Sequence, residues 1–266
     1  MTYIVMDLEF NQPYDFERGE KTKLVAACPF EIIQIGAVKL DENFNVLAQI
    51  NLMIKPQLYK RIHPFVERIT GLRRVMFTDA PSFSEAYAQF LDFIGDEDAV
   101  FCVWGSGDVS LLYKNILYYQ LDATRLTRKF LNVQSLATRF LELPQGMSVG
   151  LRNAVEILEI PTPKPFHNAL NDAVYTAAIL QAFKNEEKNI HEFNPEDLNR
   201  DKEKPSRHTF DAKSLYATAE KLYGRKLTTK EKNITKKIYA MGRTKQFDRK
   251  TGKSKAKGGA DVAHTD

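Results

Sequence analysis

Apolar residues recur along this chain with two different periods, and the switches between them outline an α/β protein. Tyr3-Ile4-Val5-Met6-Asp7-Leu8-Glu9-Phe10 reads as a buried strand interrupted by two carboxylates. Glu31–Leu40 and Val46–Lys55 are rich in aliphatic and β-branched residues and flank a polar turn, as a hairpin requires. Pro64 suits the first turn of a short helix that stops at Gly71. Ser82-Phe83-Ser84-Glu85 matches a capping box, and Tyr87, Phe90, Leu91 and Ile94 then recur at helical spacing until Gly95. Ala99–Trp104 is a continuous apolar run, expected of a strand covered on both faces. Helices are predicted from Asp108 to Gln120, over Gln134–Leu143 and over Leu151–Leu158, with one more strand at Phe130–Val133. Pro161, Pro163 and Pro165 bar a helix just before His167, after which Ala169–Phe183 reads as a strong helix.

The pattern then changes. Residues 186–210 are polar and charged and read as a linker. Asp211–Tyr223 and Thr229–Met241 have helical periodicity, with Gly224 and Gly242 where C-terminal caps belong and a second capping box at Thr228–Glu231. The Lys- and Gly-rich stretch 243–266 reads as a disordered tail. The predicted organisation is a folded domain over 1–185, a linker over 186–210, a basic helical extension over 211–242 and the tail. Strands first and βα alternation afterwards imply a mixed sheet with helices on its faces, its first three strands antiparallel.

Charge sharpens this division. Residues 1–204 hold 22 Lys+Arg against 28 Asp+Glu, whereas residues 205–266 hold 16 against 6. A mildly acidic body therefore carries a basic arm, which suits contact with nucleic acid or an acidic partner as well as it suits a solvated tail. The hydrophobic fraction of 43% supports a real core in a chain of 266 residues. No apolar run approaches the ~20 residues that span a membrane, and the N-terminus lacks the basic and cleavage regions of a secretory signal. Cys28 and Cys102 form neither a zinc motif nor a disulfide framework, so a reduced, cytoplasmic protein is expected.

The candidate chemistry is acidic. Side chains alternate along a strand, so Asp7 and Glu9 share one face, about 7 Å apart. Carboxylates there are costly unless a positive partner meets them, and hard divalent cations prefer such oxygens. The bland alternative is a solvated strand edge. Asp108 follows Trp104-Gly105-Ser106-Gly107 at a strand-to-helix junction, where it could equally cap the helix. His167 and Asp172 lie five residues apart, which on one helix would separate them by about 140°. His167 on the preceding loop could curl back over the helix start and share a site with Asp172. Otherwise His167 is a polar loop residue and Asp172 a dipole-favoured acid.

The order D-x-E (Asp7-Leu8-Glu9), then Asp108 after a strand, then H-x4-D (His167 to Asp172) resembles the DEDDh family of 3′→5′ exonucleases. Glu31–Val38 resembles that family's second strand, Arg68–Leu72 (RITGL) its T-G-[IL] turn, and Ala80–Phe83 the helix start that follows. Leu170–Ala173 with Thr176-Ala177 resembles its last helix. The similarity covers roughly residues 3–183 and looks closest to the Eri-like branch and the bacterial KapD-type proteins. It implies a ribonuclease-H-like fold and two divalent ions, Mg²⁺ or Mn²⁺. On this resemblance Asp7, Glu9 and Asp172 would ligate the water-bearing metal and Asp7 would bridge to the second. Asp108 would act partly through water, with His167 as general base. Phe10 and Leu72 would pack on bases, or else serve as plain core. The expected partner is a nucleic acid, RNA or single-stranded DNA, with a free 3′ end, and no membrane is involved. Competing readings are a non-catalytic nucleic-acid-binding or regulatory module, and a proofreading subunit of a DNA polymerase.

Overall fold

The computed structural model describes residues 1–14, 24–95, 98–143, 148–198 and 212–243. They fall into two compact units. The first holds Met1–Leu143 and Ser148–Pro205, and the second is built on the C-terminal helices.

The first unit is a six-stranded mixed sheet in the order β3-β2-β1-β4-β5-β6. β1 (Thr2–Asn11), β2 (Glu31–Leu40) and β3 (Val46–Met53) form the antiparallel meander that the sequence predicts. β4 (Ala99–Val103) runs parallel to β1, and β5 (Lys129–Asn132) parallel to β4. The helices are α1 (Pro64–Thr70), α2 (Phe83–Ile94), α3 (Gly107–Tyr118), α4 (Val133–Phe140), α5 (Leu151–Ile157) and α6 (Ala169–Ala182). Two layers cover the sheet because β1 alternates its side chains. Ile4, Met6 and Leu8 enter a core with residues of α2 and α3. Tyr3 and Val5 enter another with residues of α4, α5 and α6. By the same alternation Asp7 and Glu9 face the α6 side.

Three expectations change. The stretch 186–198, read as linker, holds β6 (Ile190–Glu192), antiparallel to β5, and a 3₁₀ turn at Pro195–Leu198. Three exposed residues are too short and too polar for periodicity to find, and main-chain pairing to an existing edge is what holds them. Asp108 is not the cap of α3: Ser106 occupies that position, and Asp108 sits in the first turn. Gly242 lies within the last helix instead of capping it. The expected linker residues 199–210 and the tail 244–266 fall outside the described residues.

In the second unit, α7 (Ala212–Tyr223) and α8 (Thr229–Arg243) form a hairpin, with Gly224 in the left-handed conformation at φ 68°. The Thr228 capping box is present: Glu231 accepts from the Thr228 N–H at 2.8 Å and pairs with Arg225 at 2.6 Å. Among the described residues no helix is long and apolar enough to cross a membrane.

Candidate active site

Three chain segments bring acids to one place. β1 supplies Asp7 and Glu9. β4 runs alongside β1, pairing Val5 with Cys102, and the turn after it starts α3 with Asp108. Asp172 lies in the first turn of α6 and is buried.

α6 reaches that position through two features of β2. A Cβ on Gly36 would collide with the backbone of Ala169 and Leu170, so glycine alone leaves room for the helix start to rest on the strand. Gly36 is the register partner of Asp7. Gln34, the partner of Glu9, is fully buried. Its Oε1 accepts from the Ala169 N–H at 3.2 Å, and its Nε2 donates to Asn51 Oδ1 at 2.8 Å. One otherwise orphaned amide at the start of α6 is thereby satisfied by the sheet itself.

The loop before α6 turns back as the proline spacing allows. His167 adopts φ 64°, a left-handed conformation that costs a non-glycine residue about 1–2 kcal/mol. Its backbone N–H donates to Asp172 Oδ2 at 3.0 Å. The Tyr175 hydroxyl bonds both backbone groups of Lys164, and Asn171 Nδ2 donates to the Pro165 carbonyl at 3.0 Å. Arg152 stacks on Phe166 at 4.3 Å. The result is a cluster in which one ligand atom each from Glu9, His167 and Asp172 lies within 4.8 Å of the others.

The electrostatics agree with crowding. Burial lifts the Asp7 carboxyl well above the usual carboxylate range, and the charges of Asp108, Glu9 and Asp172 add to the shift. Glu9 is pushed up to about 8, first by burial and then by Asp172 and Asp108. Burial raises Asp108 to about 7. Asp172 is also raised by burial, against the opposing pull of the His167 N–H and of the His167 and Arg152 charges. Its Oδ1 is buried without a hydrogen-bond partner.

An orphaned carboxylate oxygen among mutually repelling acids fits divalent cations. Two ions of charge +2 would offset four ionised carboxylates, and oxygen-rich sites suit Mg²⁺ or Mn²⁺. Asp7, Glu9, Asp108 and Asp172 are the residues that would hold them.

A family model described as Exonuclease (RNase_T) matches residues 4–180. The chain belongs to this exonuclease family. Its sheet order and helical layers are those of the ribonuclease-H-like exonuclease fold. The nuclease domain of 3′hExo, a DEDDh family member solved with rAMP, superposes with a TM-score of 0.61 at 19% identity, covering 73% of this chain and 97% of that one. The cell-death related nuclease CRN-4 superposes with a TM-score of 0.56 at 22% identity, over 71% of this chain and 65% of that one. Among curated relatives, a Mycobacterium tuberculosis protein provisionally named as a bifunctional exonuclease/endonuclease is 30% identical over 182 residues. That match takes in 68% of this chain but 26% of the relative's length. The DNA polymerase III epsilon subunit of Aquifex aeolicus is 26% identical over 184 residues, 67% of this chain and 78% of that protein.

Phe10 and Leu72, expected to pack on bases or else serve as plain core, both pack in apolar clusters. Phe10 follows a bulge after Glu9, packs with the α2–α3 core and meets Phe30 edge-on at 6.3 Å. Leu72 is 3% exposed, enclosed with Ile33, Ile62, Val66 and Phe77. Sequence reasoning gave no part to Gln34, Gly36, Arg152 or Tyr175. Only Gly36 left a legible signal, a glycine inside an otherwise β-branched run, which marks a close backbone approach.

Proposed function

We propose that this protein is a metal-dependent 3′→5′ exonuclease that hydrolyses RNA or single-stranded DNA to 5′-mononucleotides. The observation that carries this reading is the convergence of four carboxylates from three elements, with His167 beside them, in a chain of the exonuclease family. Two divalent ions held by Asp7, Glu9, Asp108 and Asp172 would activate a water and stabilise the leaving oxygen of the phosphodiester.

The chain's own groups do the rest. His167, exposed on its strained loop, takes the proton from the attacking water, since an imidazole exchanges protons readily near neutral pH. Asp172 accepts the His167 backbone N–H and so fixes the loop that carries the base. Gly36 and Gln34 fix the helix that carries Asp172. Half-buried Phe10 at the end of β1 and Leu72 after α1 are the candidates to pack on the terminal bases. The rAMP in the 3′hExo complex and the histone mRNA stem-loop recognised by a related 3′-exonuclease support an RNA substrate. The Mg²⁺ and Mn²⁺ bound form of Pop2p supports either ion. Two free, buried cysteines support a reducing compartment such as the cytoplasm.

The test is digestion of matched 5′-labelled RNA and DNA oligomers with Mg²⁺, Mn²⁺ or EDTA, beside a 3′-blocked control. Stepwise shortening that needs metal and a free 3′ end is expected. Activity from the 5′ end, or none with either ion, overturns the reading. The epsilon-subunit relative favours a second role, proofreading. Co-purification with a DNA polymerase would establish it.

A further inference from the structure

The stretch 55–78 is charged against the rest of its unit. It holds six Lys+Arg (Lys55, Lys60, Arg61, Arg68, Arg73 and Arg74) and one acid, Glu67, within a body that is otherwise acidic. All six cations are exposed. Three of them, Lys55, Lys60 and Arg74, line a cleft of about 1010 Å³ whose lining contains no Asp or Glu. Among the described residues none of these three forms an ion pair. Exposed Val75 and the buried pair Ile62 and Phe77 give it apolar wall as well. Small-molecule sites run to ~300–1,000 Å³, so the cleft has room for more than one nucleotide.

Its position relative to the acids is fixed by Asn11. That residue is fully buried at the end of β1, two positions beyond Glu9, or roughly 7 Å along the strand. Its Nδ2 donates to the carbonyls of Tyr59 and Arg61, at 2.8 and 2.9 Å, and its Oδ1 accepts from the His63 N–H at 2.9 Å. Lys60 stands between the first two anchor points. Glu31 pins the preceding turn by accepting from the N–H groups of Gln57, Leu58 and Tyr59. Lys55 Nζ donates across the cleft to the Thr78 carbonyl at 3.4 Å. Lys60 therefore stands on backbone tied to the strand that carries Asp7 and Glu9, and Lys55 and Arg74 line the same cleft.

From this juxtaposition we infer that the Lys55–Lys60–Arg74 cleft is a phosphate-binding track for the single-stranded polynucleotide upstream of the scissile bond. The inference rests on the exonuclease reading for its direction and identifies what that site selects. It takes a polymer whose internal phosphates reach the cleft while its 3′ end reaches the acids. Two Lys and one Arg supply point charges and one planar donor set, which read phosphates and not sequence.

The experiment compares the full chain with K55Q/K60Q/R74Q and with K60R/R74K. Binding of a 5′-labelled oligouridylate, roughly twenty nucleotides long, is followed by fluorescence anisotropy in EDTA across a salt series. With three contacts removed, the slope of log K against log salt becomes shallower by about 2, from about 0.7 per phosphate contact on single strands. That slope corresponds to about 100-fold weaker binding at 0.1 M salt, closing towards 1 M. The charge-retaining variant keeps the parental slope. Because every form retains the basic C-terminal extension, the difference belongs to the cleft. An unchanged slope and affinity in K55Q/K60Q/R74Q, or an equal loss in K60R/R74K, overturns the proposal. Hydrolysis of the p-nitrophenyl ester of thymidine 5′-phosphate by the unsubstituted protein judges the exonuclease reading separately. If that ester and the oligomer both survive Mg²⁺ and Mn²⁺ while the slope difference persists, the cleft stands and the catalytic reading fails.

Discussion

Gly36 stands opposite Asp7 in the β1–β2 ladder, and the space its missing side chain leaves is occupied by the backbone of Ala169 and Leu170. One glycine thus sets how close the Asp172 helix comes to the Asp7 strand. Gly36→Ala is expected to push the start of α6 outward. Overpacking of this kind costs about 1–3 kcal/mol, and a shift of ~1 Å at a catalytic group can cost about 100-fold in rate. Urea denaturation and oligomer digestion check both numbers. A variant with parental stability and rate would show that the contact is slack.

His167 separates conformational strain from chemistry. Its φ of 64° favours glycine, so His167→Gly should be more stable than His167→Ala by roughly 1 kcal/mol. Both variants lack the imidazole, and both should lose roughly 10²–10⁴-fold in kcat. Thermal unfolding of the pair, read beside single-turnover digestion, tests the two statements independently. Equal stability of the two variants would place the strain elsewhere, and a rate within tenfold of the parent would remove His167 as the base.

The acids make the metal-free protein sensitive to pH, with a defined sign. The carboxyl of Glu9 is raised from 4.5 to about 8 and that of Asp108 from 3.8 to about 7. Between the ordinary and raised values the folded chain binds more protons than the unfolded chain, so stability falls as pH rises. In EDTA, Tm should therefore drop between pH 5 and pH 8. Mg²⁺ or Mn²⁺ binds the ionised acids of the folded chain, so it should restore Tm, and by more at pH 8 than at pH 5. D7N/E9Q should flatten the EDTA profile and remove the metal effect. A parental profile that is flat without metal would contradict the crowding of these groups.

These relationships were unequally visible beforehand. Asp7 and Glu9 announce themselves because charges inside an apolar strand violate its pattern, and alternation alone puts them on one face. The turn of His167 back towards Asp172 follows from three prolines that deny it a helix. The supports of α6 do not show in this way. Gln34 looks like one polar residue in a strand, yet its amide satisfies a helix 135 positions away. Tyr175 reads as helix core although its hydroxyl holds the Lys164 backbone. Long-range hydrogen bonds leave no period in a sequence. β6 is lost for a related reason: three exposed residues pair with β5 through main chain and one ring contact, His191 on Phe130.

The last prediction concerns the basic arm. The second compact unit contains α7 and α8, with its own buried Leu227 and its own Arg225–Glu231 and Lys232–Glu220 pairs. The sheet and all four acids belong to the first unit. A chain ending at Pro205 should consequently keep metal-dependent hydrolysis of the p-nitrophenyl ester of thymidine 5′-phosphate, because among the described residues the groups that hold the acids all precede the deletion. Residues 205–266 carry a balance of +10, and each phosphate contact they make steepens the salt dependence by about 0.7 on single strands. Deletion should flatten the slope for a long oligomer beyond the loss produced in the cleft variant, and combining the two changes should add, since each removes its own phosphate contacts. A slope unchanged by the deletion would assign the arm's charge to something other than nucleic acid. Loss of ester hydrolysis on deletion would instead mean that the arm supports the fold of the catalytic unit.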